Sequence, residues 1–208
     1  MVRIKMCGIR SFKDADLAVQ YGADALGFVF ADSRRYIDPL MAREIIRSLP
    51  PFVVKVGVFV DESFENICKT ADFCGLDAVQ LHGSEEPEFC EKLPYQVIKA
   101  FRVKAFDVLK EMERYKKVDA FLLDSYTPGK KGGTGKTFNW EIAASACRKY
   151  RNVILAGGLN AGNICEAIAT VSPYGVDISS GIETGSSKDK GKIIHFMNEV
   201  RRVNFATT

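Results

Sequence analysis

The chain has 208 residues, 47% hydrophobic and 26% charged, proportions of an ordinary globular domain long enough to bury a substantial core. Its formal net charge of +3 argues for neither nucleic acid nor a membrane surface as partner, and no run approaches the roughly 18 apolar residues of a membrane span. Six cysteines without C-x-x-C spacing read as reduced thiols of a cytoplasmic protein, and the charge-alternating start "MVRIKMCGIR" does not read as a signal peptide.

In chain order, "RIKM" predicts a first strand whose C-terminal end carries Cys7 and Gly8. "ALGFVF" is a second, followed by the basic loop "DSRRYI" and a helix in "DPLMAREIIRSL", with Asp38 as N-cap and Pro39 at the first position. "VVKVGVF", "DAVQL" and "VIKAF" supply strands three to five, with His82 at the end of the fourth. "AFDVLKEMERYK" places Val108, Met112 and Tyr115 on one helical face. "AFLLD" is a sixth strand ending at Asp124, and "VILA" and "GVDIS" are the seventh and eighth. The last helix, in "KIIHFMNEV", aligns Ile193, Met197 and Val200.

Several strands are apolar nearly throughout, the signature of strands covered on both faces. Eight strand–helix pairs without a linker predict a single-domain (β/α)8 TIM barrel spanning residues 1–208. A doubly wound open sheet is the alternative; it needs fewer strands, and its G-x-G-x-x-G fingerprint is missing.

In such a barrel the active site lies at the C-terminal strand ends. Two of these ends are glycine-rich, and Gly157, Gly158, Ser180 and Gly181 form a candidate phosphate cradle, where exposed backbone N–H groups meet an anion. Cys7 and Asp124 face the same mouth, and a carboxylic acid opposite a thiolate base suits isomerisation of a sugar. A thiolate there calls for a nearby cation or a helix N-terminus. His82 is a possible partner at the mouth, whereas His195 belongs to an outer helix. Gly135-Lys136-Thr137 imitates the end of a P-loop, but Lys130 stands where the first glycine is required.

"IKMCGIR", "DSRRYI", "VGVF", "QLHG", "KAF", "LLD", "GGTG" with "FNW", "LAGGL" and "GVDISSGIE" with "KD" occur in order over nearly the whole chain. Together they closely resemble the phosphoribosylanthranilate isomerase family of tryptophan biosynthesis. The resemblance implies a barrel of the ribulose-phosphate-binding type and an Amadori rearrangement of N-(5-phosphoribosyl)anthranilate, with no metal or organic cofactor. It makes Cys7 the general base and Asp124 the general acid. In the pattern Ser33-Arg34-Arg35-Tyr36 it makes Arg35 the contact to the anthranilate carboxylate, with arginine at position 34 where the family often has proline. Asp177 is a further substrate contact. "GGTG" becomes a lid over the bound substrate. The expected partner is a phosphorylated small molecule, bound by a monomer or homodimer.

A histidine-pathway isomerase of similar chemistry carries aspartate at the end of strand one, where Cys7 stands here. A non-catalytic phosphosugar-binding barrel has no need of both Cys7 and Asp124. A nucleic-acid module resting on Lys130-Lys131 and Arg34-Arg35 matches no known recognition motif.

Overall fold

A computed structural model describes residues 1–125 and 138–206, with side chains described through residue 203. The segment read as a lid, residues 132–135, and the Lys130-Lys131 pair lie outside the described residues.

Eight parallel strands close on themselves: β1 (Arg3–Cys7), β2 (Ala25–Val29), β3 (Val54–Phe59), β4 (Ala78–Leu81), β5 (Gln96–Val103), β6 (Ala120–Ser125), β7 (Val153–Leu155) and β8 (Gly175–Ile178), with β8 paired back onto β1. Closure rules out the open doubly wound sheet. Helices α1 (Phe12–Gln20), α2 (Pro39–Ser48), α3 (Phe64–Cys74), α4 (Pro87–Cys90), α5 (Val108–Met112), α6 (Trp140–Lys149), α7 (Ile164–Val171) and α8 (Lys190–Ala206) alternate with the strands. Between β8 and α8 the chain makes a short 3₁₀ turn, Ser180–Ile182, and a two-stranded hairpin, β9 (Glu183–Thr184) and β10 (Ser187–Lys188).

Local chemistry explains the helix starts. The Asp38 side chain accepts the Leu40 N–H ahead of α2, and Asn139 accepts the Glu141 N–H ahead of α6. The fifth helix is shorter than its periodicity predicts. After Met112 the chain tightens into i→i+3 bonds, Arg114 N–H to Glu111 and Tyr115 N–H to Met112, which keep Tyr115 on the buried face while ending the helix.

Two apolar layers result from strand alternation. Val56, Ala78, Ile98, Ala100, Leu122, Ile154 and Ala156 fill the barrel interior, and the opposite faces of the strands pack under the helices with residues such as Leu26, Val79, Leu123 and Leu155. At the strand beginnings three aspartates brace neighbouring strands: Asp24 accepts the Ile4 N–H, Asp77 that of Lys55 and Asp119 that of Val97, at 2.7–2.8 Å. These braces lie at the end of the barrel opposite the C-terminal strand ends, where such folds keep their chemistry.

Candidate active site

The C-terminal strand ends frame a cavity of about 280 Å³, with Cys7, Val29 and Val58 packed together at its floor. Alternation along β1 puts Lys5 on the same face as Cys7, one step deeper in the barrel. Across the β1–β8 register Lys5 pairs with Asp177, and its Nζ lies 3.0 Å from Asp177 Oδ1, both side chains nearly sealed from water. Burial pushes the Cys7 thiol up; Lys5 pulls it down, Asp177 pushes it up, and Lys188 pulls it down. Burial wins and the thiol pKa is raised. The cations that thiolate chemistry asks for are present, but desolvation outweighs them.

Asp124 is buried at the end of β6, where its Oδ1 accepts the Ser125 N–H at 2.7 Å. Its Oδ2 faces His82 Nε2 at 3.4 Å, and Gln80, two residues earlier on β4, faces His82 Nδ1 at 3.1 Å. The loop carrying His82 is fixed by a buried ion pair. Lys99 Nζ donates to Glu85 Oε2 at 2.6 Å and to the Gly83 carbonyl at 2.8 Å, while Glu85 accepts the N–H groups of Gly83 and Asp61.

The two arginines of the β2–α2 loop separate clearly. Arg35 lines the cavity with a side chain 13% exposed, whereas the Arg34 side chain is 57% exposed and does not line it. A Ser33 hydroxyl accepting the Arg35 N–H and a bridge between Val29 and Tyr36 hold the loop over the strand ends.

The β7 and β8 loops meet at the same cavity, Gly181 lying against Leu159 and Asn160. Gly157 and Gly158 have φ values of +83° and +68°, and a Cβ on Gly157 would stand 2.4 Å from the Ser125 nitrogen. Only glycine fits that turn. Among the described residues the N–H groups of Gly157 and Gly158 meet no acceptor, which leaves two donors at the wall. Ser180 lines the cavity beside them; Gly181 does not, and instead packs against the Leu159 carbonyl. Thus Cys7, Arg35, Asp124, Gly157, Gly158, Asp177 and Ser180 share one cavity, while His195 is exposed on α8. Among the described residues no group of three His, Cys, Asp or Glu could hold a metal ion, and no helix is long and apolar enough to cross a membrane.

Residues 4–199 match the family model described as N-(5'-phosphoribosyl)anthranilate (PRA) isomerase. The chain belongs to that family. It is 51% identical over 210 residues to an N-(5'-phosphoribosyl)anthranilate isomerase of Pelobacter propionicus, with 100% of both chains covered. The crystal structure of a phosphoribosyl anthranilate isomerase from Thermotoga maritima superposes with a TM-score of 0.91 at 43% identity, covering 97% of this chain and 100% of that one. A further structure of the family, in complex with reduced 1-(o-carboxyphenylamino)-1-deoxyribulose 5-phosphate, has a TM-score of 0.87 at 40% identity with the same coverage.

Beyond the residues read from the sequence, the site of this family member includes Lys5, Gln80, Glu183 and Lys188. Lys5 and Gln80 had a signal: each is a polar residue within a strand, in phase with a mouth residue two positions on. Glu183 and Lys188 lie within the quoted "GVDISSGIE" and "KD", but no role was read from them, because they meet only through the β9–β10 hairpin, where they stand opposite each other.

Proposed function

We propose that this chain isomerises N-(5'-phosphoribosyl)anthranilate to 1-(2-carboxyphenylamino)-1-deoxyribulose 5-phosphate in tryptophan biosynthesis, with Cys7 as general base and Asp124 as general acid. The observation that carries the roles is the placement of a buried thiol and a buried carboxyl on one cavity between an arginine and a glycine-lined turn. Asp124 protonates the ribose ring oxygen, the C1–O bond breaks, and the anthranilate nitrogen closes a Schiff base. Cys7, as thiolate, takes the C2 proton to give an enolamine, whose tautomerisation moves a proton to C1 and leaves a ketone at C2. C1 is reduced as C2 is oxidised within one molecule, so the sequence consists of proton transfers and calls on no cofactor.

Substrate binding supports the same orientation. The Gly157–Gly158 turn and Ser180 hold the phosphate by backbone N–H groups, Arg35 holds the anthranilate carboxylate, and Asp177, anchored by Lys5, faces the ribose. The ligand of the complexed relative carries both a carboxyphenyl group and a 5-phosphate, and Arg35 and the glycine turn that line this cavity suit those two anions. The whole chain acts as one catalytic domain in the cytoplasm, as monomer or homodimer.

The test is conversion of substrate made in situ from anthranilate and phosphoribosyl pyrophosphate, followed by anthranilate-type fluorescence. Wild type converts it, and Cys7→Ser and Asp124→Asn each lose about 10²–10⁴-fold or more, the scale of a positioned acid or base. An inactive wild type that still binds phosphosugars would make the barrel a binder.

A further inference from the structure

Arg35 is not held by its own loop alone. Its Nε and Nη2 donate to Glu183 at 2.8 and 2.7 Å, a two-point pairing that occupies one edge of the guanidinium. Glu183 is buried and heavily engaged. It also accepts from Lys188 Nζ at 2.9 Å and from the Ser179 hydroxyl at 3.3 Å, and its backbone carbonyl accepts from Lys192 Nζ. Lys188 in turn donates to the Cys7 carbonyl, and the single Ser179 hydroxyl proton lies within reach of both that carbonyl and Glu183. One carboxylate therefore ties the arginine at the rim to the strand end that presents the thiol.

The stem of Arg35 is fixed as well. It lies across Gly8, where an added Cβ would meet Arg35 Cδ at 2.5 Å and where φ is +82°. With Nε and one Nη2 hydrogen committed to Glu183, the free edge of the fork is Nη1 with the rest of Nη2, and among the described residues Nη1 donates to nothing. Glu183 itself does not line the cavity, whereas Arg35 does.

We infer that Glu183 is a positioning residue for substrate recognition: by occupying the Nε edge of Arg35 it presents the opposite edge to the aryl carboxylate, and through Lys188 it fixes that edge relative to Cys7. The inference rests on the reading of Arg35 as the carboxylate contact. A guanidinium paired on one side loses little further freedom on binding, so its second pairing costs less. Without Glu183 the guanidinium swings free while the acid and base stay in place.

The experiment combines Glu183→Gln, Arg35→Ala and the double variant, with steady-state kinetics and the arginine Nε–H resonances in a ¹H–¹⁵N spectrum of the substrate-free protein. In wild type Arg35 gives a protected, downfield Nε–H signal, identified by its loss in Arg35→Ala. Glu183→Gln is expected to lose that protection with the rest of the spectrum folded, and to raise KM by about ten- to a hundredfold with kcat within about threefold. In the Arg35→Ala background the same change adds at most about twofold, because both act through one group. A protected signal persisting in Glu183→Gln, or fully additive KM effects, overturns the inference. If Arg35→Ala leaves KM unchanged, the reading of Arg35 itself fails and the inference falls with it; that case is distinguishable, because Glu183→Gln still releases the Nε–H signal.

Discussion

The two sides of the barrel mouth are built differently. On the β1–β8 side, Lys5, Asp177, Arg35, Glu183 and Lys188 form a nearly closed set of charges around Cys7, each paired within 3.0 Å. On the β4–β6 side the buried Lys99–Glu85 pair fixes the loop that carries His82, but Asp124 itself has only one short backbone hydrogen bond and a 3.4 Å approach to His82, and among the described residues the Gln80 Oε1 finds no partner although buried. Under the proposed roles, the surroundings of the base are already paired, although burial still holds its thiol up, and the acid keeps valences for the ring oxygen to complete.

The largest way to break this contrast is to remove a member of the charged set. Glu183→Ala strips Arg35 and Lys188 of their shared carboxylate and should cost about 3–5 kcal/mol of stability, the scale for a broken buried ion pair. Arg102→Ala on the acid side, with only a marginal 3.5 Å contact to the His82 carbonyl, should stay within about 0.5 kcal/mol. Urea unfolding of the two variants measures both, and equal losses would erase the distinction.

Acid sharpens the same contrast. Burial pushes the Glu183 carboxyl up, but hydrogen bonds and charge from Arg35 and Lys188 override it and bring it from 4.5 down to about 2. A carboxyl lowered on folding stabilises the fold fully above its ordinary value, and that contribution drains away as pH falls through about 2. The stability gap between wild type and Glu183→Gln should therefore be constant above about pH 5 and narrow below it. Parallel urea midpoints down to pH 2.5 would contradict the assignment.

A modest effect on turnover belongs to His82. Its approach to Asp124 is long, so His82→Asn should lower kcat by less than about tenfold, the value of one modest hydrogen bond. A loss matching that of Asp124→Asn would make His82 part of the acid itself.

Much of this molecule was legible in its sequence. Apolar runs such as "VVKVGVF" and "AFLLD" announce strands covered on both faces, and the barrel rule then turns Cys7, Asp124 and the glycine turns into neighbours. The fifth helix was overread, because positions 108, 112 and 115 fall on one side of a helix or of a tighter turn alike. The state of the Cys7 thiol was out of reach, since it is a sum of burial and three charges, two of them from distant segments. The pairing of Arg35, Glu183 and Lys188 was hidden although "GVDISSGIE" and "KD" were on the page, because it joins residues up to 153 positions apart through a hairpin with no strong pattern of its own.

The division of labour between the two sides is tested most directly by single-turnover rates with substrate deuterated at ribose C2. In Cys7→Ser, breaking the C2–H bond should limit the reaction, giving a slow rate with a primary isotope effect; in Asp124→Asn, ring opening should limit it, giving a slow rate without one. A C2 isotope effect expressed in Asp124→Asn and absent in Cys7→Ser would contradict the assignment of base and acid to these sides.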